Sequence, residues 1–233
     1  MRGVKIGQVL LEGKEVDAIK DPEILKRMDQ LSQFIKQLKL PIGKVVSIVD
    51  VLKVMNRVFD NDNPKSEVLP PSREAVAQYL FLYAMSGDEG DLRRLVDADY
   101  QRAVITVYIR TDDQNEMKQL VTAMEKKAAS LFKGLPVDVS VGGGVTNAIA
   151  LNETIVRGKI NSLIQIAIIV LLITSLALRS FVGGLLVLLP LATAALVNLG
   201  LMGWAGIWLS MGTAAISAMA VGIGATFAIY FIF

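Results

Sequence analysis

Three long stretches of uncharged, mostly apolar residues dominate the last third of the chain. They cover residues 160–178, 181–203 and 209–233, and Arg179 is the single charged side chain after Lys159. A helix needs about 20 apolar residues to cross the hydrocarbon core of a bilayer. One such run could be a buried core helix, but three in succession would leave a soluble domain of this size without polar helix faces. The sequence therefore predicts three transmembrane helices.

The charged residues are concentrated in the rest of the chain. All 22 Asp and Glu residues lie at or before Glu153, and 23 of the 24 Lys and Arg residues lie at or before Lys159. This division predicts two domains, a nearly neutral α+β domain over residues 1–155 and a membrane segment over residues 156–233. The two tryptophans of "WAGIW", Trp204 to Trp208, are typical of a membrane–water interface.

The first domain alternates strand and helix patterns. Asp21 before Pro22 is typical of a helix start, and Asp113 with Glu116 fits a second one. "KVVSIV", "RAVITVYIR" and "PVDVSVGG" are typical of strands. The first of these predicts a strand through Val49, followed by a helix from Asp50. With "MRGVKIGQVLLEG" as a further strand at the start, the order β-α-β, helices, β-α-β predicts a split βαβ, ferredoxin-like sheet with helices on one face.

Most kinds of chemical site are excluded by composition or spacing. The chain has no Cys and no His, so it offers no thiolate metal site and no nucleophile paired with a histidine base. Two acidic stretches, "DNDNP" and "DEGDLRRLVDAD", lack the spacing of a calcium loop and are interpreted as solvated loops. "VGGGVTN" lacks the Lys-Ser/Thr of a phosphate loop and is interpreted as a turn or hinge. We expect no enzyme, no catalytic residue, no cofactor and no metal.

A net charge of +2 without a basic, aromatic patch gives no case for nucleic acid. In the second apolar run, Pro190 is expected to kink the helix, and Thr193 and Asn198 are expected to make polar contacts inside a bundle.

The third apolar run carries small side chains every four residues. Small residues on one face of a membrane helix let two backbones approach closely. The pattern predicts that this helix packs tightly inside a larger bundle. Its members are Ser210, Ala214, Ala218, Gly222 and Thr226.

Several stretches resemble exporters of the resistance-nodulation-division (RND) superfamily, nearest the branch of the mycobacterial membrane-protein-large (MMPL) type. They include "IKDPEILKRMDQL", "PPSREAVAQYLFLY", "LVDADYQRAVITV" and the run from "ITSLALRSFVGG" to "AVGIG". The resemblance implies a fragment, namely the porter domain and three helices of the second half of such a transporter. It also implies a bacterial inner-membrane protein with residues 1–155 on the periplasmic side.

The resemblance implies a particular role for the last helix. The family pattern is roughly Gly-Ile-Gly-x-Asp-Tyr-Ala-Ile-Tyr, whereas this chain has Thr226 at the Asp position and Phe227 at the first Tyr position. An acid within a membrane is costly and usually serves a proton or ion path. Thr226 occupies that relay position but cannot titrate. Gly222, Gly224 and Tyr230, with the small residues above, are predicted to form the transport core.

Two functions follow from the resemblance. The first is export of lipids or other hydrophobic molecules, driven by the proton-motive force through the other half of the transporter. The alternative is an accessory subunit of the same fold that binds a lipid or a partner without pumping. The expected partners are a hydrophobic substrate, the bilayer and the remainder of the transporter, and a homo-oligomer stays open.

Overall fold

The computed structural model describes residues 5–86 and 89–206, together with Thr213 and Met219. Contacts divide the chain into two compact units, Met1–Ile149 and Ala150–Phe233. The predicted domain division at residues 155/156 stays a prediction, because a contact boundary does not mark where a bilayer begins. In chain order the elements are β1 (Lys5–Gly13), α1 (Pro22–Gln37), β2 (Ile42–Val46), α2 (Ile48–Phe59), α3 (Arg73–Ser86), α4 (Glu89–Arg93), β3 (Arg102–Ile109), α5 (Gln114–Leu131), β4 (Val137–Gly143), α6 (Gly144–Ala177) and α7 (Phe181–Trp204).

The first unit contains a four-stranded antiparallel sheet. Its strands lie in the order β2-β3-β1-β4, and Val9 of β1 pairs with Ile105 of β3 and with Val141 of β4. Each βαβ unit therefore has a third strand inserted between its two strands, which is the split βαβ arrangement. The predicted α+β class is confirmed.

Alternation along the central strands builds one core. Odd-numbered residues of β3, from Ala103 to Ile109, are buried, while the even-numbered residues between them are at least partly exposed. The buried face of α1, including Met28 and Leu31, packs into the same cluster as Met117 and Met124 of α5. The helices of the two βαβ units thus share a core with one face of the sheet, as the period-2 and period-3.6 patterns require.

The predicted helix starts are confirmed, and one predicted strand end is wrong. Asp21 and Asp113 cap α1 and α5 by accepting bonds from main-chain N–H groups. The strand predicted through Val49 instead ends at Val46, because Ser47 and Asp50 form a capping box that starts α2. The Ser47 N–H donates to Asp50 Oδ2 at 2.8 Å. This pairing satisfies the first N–H groups of a helix and outweighs the strand preference of Ile48 and Val49.

The second unit contains most of α6 and all of α7. Among the described residues, Phe181–Trp204 is the one helix long and apolar enough to cross a membrane, while Ile164–Ala177 within α6 is apolar but shorter. The third predicted run, residues 209–233, lies outside the described residues. The described residues therefore contain one candidate membrane helix, and the predicted three-helix bundle stays a prediction.

Candidate functional site

The described part of the predicted membrane segment is a helical hairpin. α6 ends at Ala177 and α7 begins at Phe181. Ser180 caps α7, with its hydroxyl accepting from the Gly183 N–H at 3.2 Å, and its own N–H donates to the Ser175 carbonyl at 3.1 Å. Arg179 adopts a positive φ of 48° in this turn. The charge predicted to lie between two spans is therefore held in a tight, capped connection.

α6 and α7 approach each other closely beside this turn. A Cβ added at Gly184 would overlap Ser175 Oγ and would lie 3.0 Å from the Ser175 main-chain nitrogen. Thr174, next to Ser175, is buried with 4% of its surface exposed. Val187, three residues after Gly184, is buried with 2% exposed. Small residues at the contact allow the two backbones to pack, as in membrane helix pairs.

Most of the remaining surface of α7 is apolar. Leu186, Leu189 and Leu196 are each more than 60% exposed. A helix with so much exposed apolar surface is stable in water only when other protein buries it, so this surface requires lipid or further protein to cover it. The helix continues past Pro190, and the Thr193 hydroxyl donates to the Leu189 carbonyl at 2.8 Å. This is the usual bond of a helical threonine to the main chain one turn earlier.

The predicted transport core lies outside the described residues. This applies to Ser210, Ala214, Ala218, Gly222, Gly224, Thr226 and Tyr230. Their packing, and the role of Thr226 at the relay position, stay predictions.

The first unit carries an open groove of about 620 Å³. β2, β3, α2, α3 and the segment around α4 all contribute to it. Its apolar lining includes half-buried Val46, Val51 and Leu95, beside the phenol rings of Tyr83 and Tyr108. A pocket of about 300–1,000 Å³ is the usual size for one small ligand. The groove is therefore large enough to receive a small molecule.

The same groove carries an excess of positive charge. Lys44, Arg94 and Arg110 line it together with one acid, Asp91. Arg94 Nη1 lies 3.7 Å from Asp91 Oδ1 in an exposed ion pair. In the part of the chain that the structure describes, Lys44 and Arg110 form no ion pair with an acidic side chain. Two cations therefore remain available to an anionic group.

A glycine places one of these cations. A Cβ added at Gly43 would lie 2.9 Å from Arg110 Nε, so the arginine side chain lies directly against this strand backbone. The pairing of β2 with β3 is irregular between Ile42 and Lys44, and the Arg110 N–H donates to the Pro41 carbonyl at 2.9 Å. The absence of a side chain at Gly43 leaves room for the Arg110 side chain, and the bond to Pro41 fixes the Arg110 main chain beside it.

Sequence patterns did not indicate this groove. Its residues come from five separate segments, and no spacing along the chain relates them. Gly43 directly precedes the strand predicted from Lys44, where a glycine is typical of a turn. Such a signal does not indicate the arginine that lies against Gly43.

The acidic loop after α2 forms a self-contained network. Arg57 contacts Glu67 and Asp62, each at 3.0 Å, and hydrogen bonds to Glu67 and then to Asp62 raise the pKa of Arg57. Hydrogen bonds from Ser66 and then Asn63 lower the pKa of Asp60. These acids therefore pair with Arg57 of α2 and with donors of their own loop. No group of three or more acidic residues with metal-site geometry occurs within residues 5–86 and 89–206.

The sequence matches a known protein family. The sequence model of the MMPL family matches residues 20–233, which is nearly the whole chain. The chain belongs to the MMPL family. A search of curated proteins gave no match. MMPL proteins are RND-type transporters that handle hydrophobic substrates in bacterial membranes, and they are not typical enzymes.

The MMPL match covers both parts of the chain. It extends from α1 through the groove and the α6–α7 hairpin to Phe233, and thus includes the run that carries Thr226. The family identity accounts for a structured α+β unit and an apolar, exposed helix within one chain. It also bears out the resemblance stated above.

Proposed function

We propose that this chain is half of an exporter that moves lipids or other hydrophobic molecules out of the bacterial inner membrane. The observation that carries the proposal is the MMPL match over residues 20–233. The exposed apolar surface of α7 supports it, because such a surface is suited to lipid contact. In this proposal residues 1–155 lie on the periplasmic side, and the short turn at Arg179 lies in the cytoplasm, in keeping with the positive-inside rule.

Proton coupling is assigned to the other half of the transporter. Thr226 stands at the relay position and has no titratable group. A threonine can only exchange hydrogen bonds, for example with the main chain one turn back. A carboxylate in the matching helix of the other half would then bind and release the proton, and this half would follow through helix packing.

The test is a pair of substitutions in the complete transporter, read out as export of a fluorescent hydrophobic probe from cells. Thr226→Ala should change the export rate by about threefold at most, since an interhelical hydrogen bond in a membrane averages about 0.6 kcal/mol. Replacing the matching carboxylate of the other half by its amide should abolish export. Loss of export in Thr226→Ala comparable to that in the amide variant would contradict this assignment.

The accessory role remains the second candidate, and the neutral Thr226 favours it. An accessory subunit would bind a hydrophobic molecule or a partner without moving it. In that case neither substitution would change cellular export. The absence of any titratable group in the matching helix of the other half would remove the driving force for the first proposal.

A further inference from the structure

We infer that the groove of the first unit binds the head of a single-chain anionic amphiphile, with Lys44 and Arg110 contacting the anion. The inference concerns a ligand class, and the claim that this ligand is transported cargo rests on the proposed function. It is carried by three features of the groove: its charge, the fixed position of Arg110, and its half-buried apolar lining.

Charge selects an anion. Three cations line the groove against Asp91, and Asp91 is already paired with Arg94. A guanidinium presents a planar fork of N–H donors that matches the two oxygens of a carboxylate or phosphate, and an ammonium adds a strongly hydrated point charge. Lys44 and Arg110 together can therefore contact both oxygens of one anionic head.

The geometry favours a head bound at β2. Arg110 lies against Gly43, and Lys44 follows Gly43 directly in the strand. Both cations are thus anchored at one irregular point of the sheet edge. Because Arg110 is held against the strand backbone, less conformational freedom is lost when it binds a ligand.

The apolar lining accommodates a tail. Val46, Val51 and Leu95 are neither fully buried nor fully exposed, so a bound chain would remove their remaining surface from water. Tyr83 and Tyr108 add rings whose apolar faces can contact methylene groups. The volume of about 620 Å³ is suited to one small ligand, which favours one hydrocarbon chain over the two chains of a phospholipid.

The test is photolabelling of the full chain in phosphatidylcholine nanodiscs with a palmitic acid that carries a diazirine on its tail. The matched probe is the methyl ester of the same molecule, which has the same tail and no charge. Labelled peptides are identified by mass spectrometry. We expect the acid to label groove peptides, such as those containing Val51 or Leu95, and the ester to label them on the order of tenfold less.

Two matched double variants each replace two cations by glutamine, one pair in the groove and one pair away from it. Lys44→Gln combined with Arg110→Gln should lower labelling of the groove by the acid on the order of tenfold. Lys126→Gln combined with Lys133→Gln, which removes two exposed cations of α5 and the loop after it, should leave groove labelling unchanged. All four side chains are exposed, so the variants should fold like the parent.

Competition identifies the part of the ligand that is recognised. Dodecyl phosphate should displace the acid probe, whereas inorganic phosphate at the same concentration should not. Three outcomes would overturn the inference. They are equal labelling by the acid and the ester, unchanged labelling in the Lys44/Arg110 double variant, and displacement of the acid by inorganic phosphate alone. If the acid labels the groove but the complete transporter exports nothing, the binding site is retained and the proposed export function is wrong. If the transporter exports its probe but the acid does not label the groove, the export function is retained and the binding site is wrong.

Discussion

The joint between β4 and α6 depends on a single glycine. Gly143 ends the strand with φ at 97°, and a Cβ added there would lie 3.0 Å from the Ile6 carbonyl oxygen and 3.2 Å from the Gln8 nitrogen. Both neighbours are main-chain atoms of β1 and cannot rotate away. The Thr146 hydroxyl donates to the Gly143 carbonyl at 2.9 Å and fixes the first turn of α6. The strand therefore passes into the helix without a loop.

The sequence predicted a turn or hinge here but not which glycine it needs. "VGGG" contains three adjacent glycines in a strand-to-helix transition. The answer depends on β1, which pairs with β4 from the far end of the domain and brings Ile6 and Gln8 against one of them. A contact between segments more than 130 residues apart leaves no local pattern.

Gly143→Ala should destabilise the first unit by about 1–3 kcal/mol, since an alanine is strained at positive φ and its Cβ would meet backbone atoms. The matched control is Gly142→Ala, because a Cβ at Gly142 meets nothing within 4 Å. The measurement is the thermal melting temperature of the full chain in nanodiscs, followed by circular dichroism. We expect a fall of several degrees for Gly143→Ala and little change for Gly142→Ala. Equal melting temperatures would show that the joint tolerates a side chain.

At the scale of elements, the sequence predicted which segments are helices and which are strands, but it did not predict all of their ends. Periodicity and caps located α1 and α5 because Asp21 and Asp113 are followed directly by helical spacing. The strand ending at Val46 was extended too far, since Ile48 and Val49 favour a strand by propensity alone. The capping box that starts α2 involves Ser47 and Asp50, and it decided the boundary.

The α6–α7 hairpin gives the prediction at this scale. Gly184→Val should force α7 away from Ser175, and overpacking of this kind costs about 1–3 kcal/mol. Gly200→Val is the control, because a Cβ at Gly200 meets nothing within 4 Å of the described atoms. The measurement is the fraction of protein that stays monodisperse after heating in detergent. Gly184→Val should aggregate several degrees below the parent, and an unchanged profile would contradict the close contact.

Ser175 offers an internal check on the same contact. Its hydroxyl oxygen is buried and has no hydrogen-bond partner among the described atoms. Ser175→Ala removes the atom nearest to a new side chain at position 184. Gly184→Ala alone should lower the temperature at which the protein aggregates, because its Cβ would meet Ser175. Adding Ser175→Ala should recover part of that loss, since neighbouring substitutions at one contact are not additive. Strict additivity of the two changes would place the two positions apart.

For the whole molecule, sequence predicted the class of each part better than its sites. The strand order follows from two βαβ units, and the family follows from stretches spread along the chain. The groove was not predicted, because five segments meet there only after folding. The membrane core was predicted from small residues and from Thr226, and it stays a prediction because those residues lie outside the described part.

The central proposal is that a transporter containing this chain moves a hydrophobic molecule across the membrane at the expense of a proton gradient. It is tested most directly by reconstituting the complete transporter in vesicles with a fluorescent hydrophobic cargo and imposing a pH difference across the bilayer. The account predicts directional cargo movement while the gradient lasts and its arrest by a protonophore. Cargo that does not move under a gradient, or moves equally after the gradient is collapsed, would contradict proton-driven export.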